Sequence, residues 1–307
     1  MQALRKQSLK HSRIPPPYFT ETLRKKMDSH LAHSRQKLLD FVNIAHKYGL
    51  RFAVEVALNS LGFKIYTTTN YPVSNVKATV RVSTFWKQLE TGDWELNCMK
   101  YVSPLVKKNS TILDIGAWRG PYTLFFAILM QGTGHVCAFE PDPAAFDALR
   151  GNLEKNRLAN VHVERLCMSN YVGSAELKTK HFGDTMSSLV GDASQGFSRS
   201  VIVNATTIDQ YCQENQILPD GIKIDVEGAE ALVIEGAWDT LEKAHPWVLL
   251  EFHRYIMSKE DVRSNWEKIT RNAREIFFID GDGGEYRCGD RVNRMPDCER
   301  FHVFIQY

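Results

Sequence analysis

Glycines and acidic residues of this 307-residue chain cluster in four short segments whose residue types suit ligand binding or catalysis. The first of these clusters is a glycine-containing turn. Segment 114–120 reads DIGAWRG, directly after a short apolar run. Glycines let the main chain approach a ligand, and the start of a following helix presents free N–H groups. The spacing is G-x-x-x-G, without the G-x-G-x-x-G of a dinucleotide site. The carboxylate of Asp114 suits an ammonium group better than a pyrophosphate, so the turn predicts a nucleotide-like ligand that carries an amine.

A second acid, Glu140, follows the next apolar run and precedes Pro141. An acid at the tip of the second strand accepts hydrogen bonds from both ribose hydroxyls in dinucleotide-binding folds. A surface glutamate before proline is the ordinary alternative. Because Glu140 follows the glycine turn at a suitable distance, we favour the ribose-binding interpretation.

A third cluster, KIDVEGAE at 223–230, places three acids where a predicted strand meets a helix. Asp225 is expected to face the cleft beside the reactive end of the ligand. For Glu227, a position in that cleft and a position in the first turn of the following helix are equally expected. For Glu230 the helical position is favoured, because acids at the start of a helix complement its macrodipole.

The fourth cluster, LEFH at 250–253, places Glu251 and His253 at the same predicted sheet edge. Histidine is a common general base, because its reference pKa of about 6.5 lies near neutrality. A structural histidine is the alternative. Asp225, Glu251 and His253 together could also hold a divalent cation, which from the sequence we do not favour.

Short apolar strands alternate with helices after residue 109, which is typical of βαβ units and a parallel sheet covered on both faces. The predicted fold is therefore α/β, with a doubly wound, mostly parallel sheet. A segment at 173–204 interrupts the alternation as an insertion or hairpin, and strands at 275–279 and 302–306 suit an antiparallel end to the sheet. The predicted parallel strands are 111–115, 135–139, 161–166, 222–224 and 247–250, and the predicted helices are 122–130, 143–156, 207–215, 229–237 and 260–273.

The N-terminal region differs in charge from the remainder of the chain. Residues 1–50 contain ten Lys and Arg against three acids, whereas the whole chain has a net charge of +2. We divide the chain into a basic, flexible tail (1–20), a helical and strand extension (21–94) and a ligand-binding domain (95–307). No apolar run approaches the roughly 20 residues of a membrane span, and the six cysteines stand singly, so we expect a cytoplasmic protein without membrane contact.

Four segments, taken in order, resemble the FkbM-type S-adenosylmethionine-dependent methyltransferases. The resemblance covers about residues 95–253, and it departs from the family at Trp118 and Pro121 of the first loop. It implies a Rossmann-like sheet of seven strands with the seventh antiparallel, S-adenosylmethionine as cofactor, and O-methylation of a hydroxyl on a sugar or other small molecule. The segments are DIGAWRG (114–120), AFEPD (138–142), KIDVEGAE (223–230) and LEFH (250–253).

The resemblance also implies roles for individual residues. The methionine part of the cofactor would lie against the first loop, the ribose against Glu140, and the adenine near Asp142 or Ser169. The acceptor would be surrounded by four side chains, with His253 as the preferred base and Asp225 as the second choice. The residues of the first loop are Asp114, Gly116, Ala117 and Gly120, and those around the acceptor are Asp225, Glu227, Glu251 and His253.

Two other functions stay open at this point. The basic N-terminal segment could hold a macromolecular acceptor, RNA or protein, although nucleic acid is not favoured because no aromatic stacking platform is evident. A non-catalytic scaffold of the same fold is the second alternative, and both cofactor glycines and both acids argue against it. The missing middle glycine argues against a dehydrogenase. A homo-oligomer remains an open possibility.

Overall fold

The computed structural model describes residues 21–183, 187–191, 196–256, 259–279, 285–287 and 299–307. The predicted basic tail at 1–20 lies outside the described residues. The chain forms two compact units, which divide between Phe63 and Lys64. The first contains helices α1 (Glu21–Tyr48) and α2 (Leu50–Ser60), separated by Gly49 in the left-handed region at φ +92°.

The second unit begins with an antiparallel strand pair and two short helices, β1 (Tyr66–Asn70), β2 (Lys77–Arg81), α3 (Thr84–Thr91) and α4 (Leu96–Val102). Twelve more strands follow: β3 (Thr111–Ile115), β4 (His135–Phe139), β5 (Val161–Glu164), β6 (Cys167–Met168), β7 (Gly173–Thr179), β8 (Ser187–Ser188), β9 (Arg199–Thr206), β10 (Gly221–Ile224), β11 (Trp247–His253), β12 (Glu275–Ile279), β13 (Glu285–Arg287) and β14 (Arg300–Gln306). The remaining helices are α5 (Pro121–Leu129), α6 (Pro143–Asn156), α7 (Ile208–Asn215), α8 (Glu230–Glu235), α9 (Trp238–Ala244) and α10 (Lys259–Thr270).

The main sheet has the order β13-β12-β14-β11-β10-β3-β4-β5. Strands β5, β4, β3, β10 and β11 are parallel to one another, and β14 runs antiparallel to both β11 and β12. Apart from the edge strand β13, this is the predicted doubly wound sheet of seven strands with the last antiparallel, and the prediction is confirmed. The strand order reverses at β3, between β4 and β10, which is where ligands bind in open α/β sheets.

The predicted interruption at 173–204 forms a separate small sheet of order β6-β9-β7-β8, in which β7 and β9 are antiparallel. The helix predicted at 229–237 is present as α8, which ends at Glu235, and the sequence analysis missed α9, which begins at Trp238. The break between them lies at Gly236, where a β-carbon would stand less than 3.0 Å from the main-chain oxygen of Ser169. The chain turns there to let these two backbones meet.

The strand pair β1–β2 is tied to α6 of the sheet domain. The main-chain N–H of Thr79 donates to Asn156 Oδ1 and that of Arg81 to Asn152 Oδ1, both at 2.7 Å. Residues 64–94 thus pack with the domain that follows them, and our functional boundary at residue 95 stays a prediction. Apolar layers cover both faces of the sheet, with Trp266 fully buried in one and Phe125 in the other. Among the described helices, none has the length and apolar character needed to cross a bilayer.

Candidate active site

A cavity of about 310 Å³ lies at the carboxyl ends of β3, β4, β10 and β11. Its volume is at the lower end of the range for small-molecule sites. The four clusters found in the sequence meet here, because the carboxyl ends of parallel strands share one edge. The predicted site residues that line the cavity are Asp114, Gly116, Ala117, Glu140, Asp225, Glu227 and Glu251.

The glycines of the first loop are required by close approaches of the chain. Gly116 has φ +76°, and a β-carbon there would stand less than 3.0 Å from the main-chain oxygen of Asp225. Gly120 has φ +90°, and its β-carbon would overlap the side chain of Leu149 on α6. Gly116 therefore shapes the cavity itself, whereas Gly120, which does not line it, lets α5 begin against α6.

Asp114 is fully buried at the end of β3. Its Oδ2 accepts a hydrogen bond of 2.5 Å from Thr123 Oγ1, while Oδ1 has no hydrogen-bond partner among the described residues. Burial raises the pKa of this carboxyl group, although the charge of Lys223 opposes the shift. An unpartnered buried acceptor is costly, and a ligand with an ammonium group would satisfy it.

Glu140 is held by two main-chain donors. Its Oε2 accepts from the N–H of Trp118 at 2.7 Å, and its Oε1 accepts from the N–H of Asp142 at 2.8 Å. Burial raises the pKa of Glu140 to about 8, and the two hydrogen bonds oppose the rise. A carboxylate accepts about four hydrogen bonds, so Glu140 retains capacity for hydroxyl donors of a ligand.

Asp142 and Ser169, predicted beside the adenine, do not line the cavity. Asp142 caps α6, where its Oδ1 accepts from the N–H groups of Ala144 and Ala145, and it also accepts from Gly183. Ser169 is fully buried. From the chain that follows β5, the residues that line the cavity are instead Leu166, Cys167 and Met168.

Three further carboxylates line the cavity where β10 and β11 end. Asp225 Oδ2 accepts from Lys223 Nζ at 2.9 Å, and although burial acts in the other direction, this contact lowers the pKa of Asp225. Glu227 lies in the left-handed region at φ +51° and accepts a hydrogen bond from the hydroxyl of Tyr255. Burial, together with the charge of Asp225, raises the pKa of Glu251 to about 7.

His253 lies behind these carboxylates with no exposed surface, and it does not line the cavity. Its Nδ1 is 2.7 Å from Oε1 of the fully buried Glu230. Its Nε2 is 3.7 Å from Glu227 Oε2 and 3.8 Å from both Asp225 Oδ1 and Glu251 Oε2. Burial opposes protonation, but the surrounding carboxylates, Glu230 first, raise the pKa of His253 to about 10.

Sequence reasoning missed an aromatic wall of the cavity. The ring of Phe85 lies 5.0 Å from Trp94 and 4.6 Å from Trp118, and Trp94 lies 5.7 Å from Tyr122. Trp118 and Tyr122 stand in or beside the glycine turn, but Phe85 and Trp94 come from a stretch without any motif. Three charged lining residues were also given no role in the site: Lys223, within the third cluster, Arg300, at the start of β14, and Glu95, which accepts from the Tyr122 hydroxyl at 2.9 Å.

Comparison with known proteins gives one family. The profile of the family described as "Methyltransferase FkbM domain" matches residues 114–276, more than half of the chain. No curated protein matches the chain. The matched region contains all four clusters of the cavity.

Solved structures show only distant likeness. The methyltransferase FkbM of Methylobacillus flagellatus KT is 16% identical with a TM-score of 0.41, and the match covers 65% of this chain and 44% of that one. A putative rRNA methylase of Clostridium thermocellum is 11% identical with a TM-score of 0.41, over 68% and 92% of the two chains. The fibrillarin of Aeropyrum pernix, with bound S-adenosyl-L-methionine, is 13% identical with a TM-score of 0.38, over 66% and 68%. This chain thus spans less than half the length of the Methylobacillus protein.

Proposed function

Since the chain belongs to the FkbM methyltransferase family, we propose that it methylates a hydroxyl group of a sugar or another small molecule. S-Adenosylmethionine is the methyl donor of this family. One observation carries the proposal. A single cavity is lined by the buried Asp114, one of whose carboxylate oxygens has no partner among the described residues, and by the acids Asp225, Glu227 and Glu251.

The residues after β3 and β4 fit the donor. The free oxygen of Asp114 suits the ammonium group of the methionine part, and Glu140 suits the two ribose hydroxyls. Gly116, which has no β-carbon, lets the main chain of Asp225 come close to the first loop. The apolar lining from Leu166 to Met168 suits the adenine ring. When bound, S-adenosylmethionine supplies a methyl group that its sulfonium centre has already activated.

We assign Glu251 as the group that accepts the proton of the acceptor hydroxyl. Asp225 is bonded to Lys223 and Glu227 to Tyr255, whereas the cations beside Glu251, Arg300 Nη1 and His302 Nε2, stand at 3.5 and 3.7 Å. The acceptor oxygen forms a bond to the methyl carbon as the carbon–sulfur bond breaks with its electron pair going to sulfur. The hydroxyl proton passes to Glu251, so that atoms and charges balance.

His253, our first choice of base from the sequence, takes a different role in this proposal. Its ring is fully buried and stands behind the acids rather than on the cavity surface. A base must come within hydrogen-bond reach of the proton that it takes. We therefore assign His253 as a buried positive charge beside the acids, which it approaches without hydrogen bonds, and keep Asp225 as the second candidate base.

The lining favours a neutral, hydroxyl-rich acceptor. Carboxylates accept hydrogen bonds from hydroxyl groups, and aromatic faces pack against the apolar faces of a sugar ring. Among the described residues, six acids and two basic residues line the cavity, which disfavours a phosphate-rich acceptor such as RNA. The acids are Glu95, Asp114, Glu140, Asp225, Glu227 and Glu251, and the bases are Lys223 and Arg300.

We also propose that the protein acts in a reducing compartment such as the cytoplasm. The four cysteines in the described part of the chain, Cys98, Cys137, Cys167 and Cys212, are free and buried. Free cysteines are typical of proteins in reducing compartments.

Calorimetric titration with S-adenosylhomocysteine tests the donor site. We expect micromolar binding that weakens about tenfold or more in Glu140→Gln, since hydrogen bonds to charged groups contribute about 1.5–3 kcal/mol. Glu154→Gln, an exposed carboxylate on α6, is the matched control and should bind like the wild type. Binding in the wild type justifies an acceptor screen that starts with glycosides. Absence of binding in all three proteins would overturn the proposed function.

A further inference from the structure

His253 has a ring nitrogen without any hydrogen-bond partner among the described residues, although its side chain is completely buried. Nε2 lies 3.7 Å from Glu227 Oε2 and 3.8 Å from Asp225 Oδ1. Hydrogen bonds between nitrogen and oxygen are about 2.7–3.2 Å long, so neither carboxylate bonds this nitrogen. Three polar side chains thus converge without bonding one another.

Their spacing fits ligands of one metal ion. Two ligand atoms that each lie about 2.1 Å from a cation stand up to about 4.2 Å apart. Both measured separations from Nε2 fall within that limit. The ligand atoms of Asp225, Glu227 and His253 all lie within 4.8 Å of one another.

The other ring nitrogen of His253, Nδ1, has a carboxylate partner of the kind found in metal sites. A metal-binding histidine usually donates its second N–H to a carboxylate, which sets its tautomer and ring orientation. Here Nδ1 lies 2.7 Å from Oε1 of Glu230, and that oxygen also accepts from the N–H of Gly228 at 2.9 Å. With the proton on Nδ1, the lone pair of a neutral imidazole points from Nε2 toward Asp225 and Glu227.

The local charge also favours a cation. Four carboxylates, those of Asp225, Glu227, Glu230 and Glu251, stand within 3.8 Å of the His253 ring nitrogens. Buried charges are costly unless they are paired. A metal ion replaces the proton of a ligating imidazole, so it would supply two positive charges where the ring now supplies at most one.

We propose that Asp225, Glu227 and His253 bind a divalent first-row transition-metal cation such as Mn²⁺. Carboxylates suit Mn²⁺, and an imidazole ligand favours transition metals over Ca²⁺. From the sequence we did not favour a cation and would have placed Glu251 in the ligand set. We replace it with Glu227, whose ligand atom lies within 4.8 Å of those of both Asp225 and His253.

The role of the cation in catalysis rests on the proposed function, whereas its binding does not. Three protein ligands leave coordination positions that a hydroxyl group can occupy, and a bound cation makes that hydroxyl more acidic. Asp225 and Glu227 line the cavity, so the ion faces the acceptor. Glu251 then stands beside the polarised hydroxyl as the proton acceptor.

Mn²⁺ itself is the probe for the test. The full-length protein is stripped with a chelator and titrated with Mn²⁺, and free Mn²⁺ is measured by electron paramagnetic resonance. We expect one site in the wild type, with affinity at least tenfold lower in His253→Gln and in Glu227→Gln. Glu227→Gln is included because its carboxylate is less deeply buried, so folding is less at risk. Glu140→Gln and Glu154→Gln should bind Mn²⁺ like the wild type.

S-Adenosylhomocysteine titration of the same samples separates the two proposals. If the wild type binds Mn²⁺ but not S-adenosylhomocysteine, the cation site stands and the proposed function fails. If it binds S-adenosylhomocysteine but no Mn²⁺ up to millimolar concentration, the cation site is overturned and the donor site stands. Unchanged Mn²⁺ affinity in folded Glu227→Gln would likewise overturn this assignment of ligands.

Discussion

The main-chain oxygen of Asp225 lies against the α-carbon of Gly116, so closely that no β-carbon fits between the two loops. Gly116 follows β3 and Asp225 follows β10, the neighbouring strands at the point where the strand order reverses. This contact joins the proposed donor-binding loop to the proposed acceptor acids. A change at either residue is therefore expected to affect both the donor-binding loop and the acceptor acids.

Gly116→Ala should lower the affinity for S-adenosylhomocysteine about tenfold or more and lower the free energy of unfolding. Gly132→Ala is the matched control, because Gly132 has a similar φ of +79° but nothing within 4 Å of its β-carbon position. A left-handed alanine costs about 1–2 kcal/mol by itself, and any loss beyond that of the control reports the overlap with Asp225. Chemical denaturation and calorimetry measure the two effects. Equal losses in both variants would contradict the prediction.

Asp114→Asn should weaken S-adenosylhomocysteine about tenfold but leave 5′-methylthioadenosine almost unaffected. The second ligand lacks the ammonium group that we assign to the free oxygen of Asp114. A charged hydrogen bond of this kind contributes about 1.5–3 kcal/mol. Glu140→Gln, at the ribose, should weaken both ligands. If Asp114→Asn lowered the affinity for both ligands equally, the assignment of Asp114 to the ammonium group would be wrong.

The affinity of the wild type for S-adenosylhomocysteine should rise with pH toward a plateau at about pH 9, one unit above the pKa of Glu140. The pKa of Glu140 is raised by burial to about 8, so at pH 6.5 the group is mostly neutral and accepts ribose hydroxyl hydrogen bonds less strongly. Binding that prefers the carboxylate therefore gains as the pH passes this pKa, by about tenfold between pH 6.5 and 8.5. Titrations at three pH values check this rise, which should be much smaller in Glu140→Gln.

Glu251→Gln should reduce kcat about a hundredfold while leaving the affinity for S-adenosylhomocysteine within about twofold of the wild type. A general base contributes about 10²–10⁴ to a rate, and Glu251 lies at the acceptor end of the cavity. Release of S-adenosylhomocysteine is measured with the first acceptor that the glycoside screen finds. An unchanged kcat would transfer the role to Asp225.

Asp142→Ala should lower the free energy of unfolding by about 0.5–2 kcal/mol, because Asp142 caps α6. Asp142→Asn retains an acceptor oxygen and should lose much less. Both are compared by urea denaturation. A large loss of S-adenosylhomocysteine affinity in Asp142→Asn, without loss of stability, would instead favour the adenine role that the sequence suggested.

The sequence by itself determined the α/β class, most of the elements and the sheet edge that carries the site. Apolar strands alternating with helices admit few topologies, and motifs after successive parallel strands must meet at one edge. The glycine spacing and Glu140 could be identified from the sequence, because local backbone geometry requires those residue types. The break between α8 and α9 could not be predicted from the sequence, because it depends on the contact of Gly236 with the backbone of Ser169.

Only the tertiary structure decided what each polar side chain faces. Glu251 and His253 are two residues apart on β11 and share one face of the sheet, as strand periodicity requires. Yet Glu251 lines the cavity while His253 is covered by Glu230 at the start of α8. The aromatic wall of Phe85 and Trp94 likewise arises because the segment before residue 95 packs over the sheet edge. Such contacts join residues far apart in the chain, so no local pattern in the sequence encodes them.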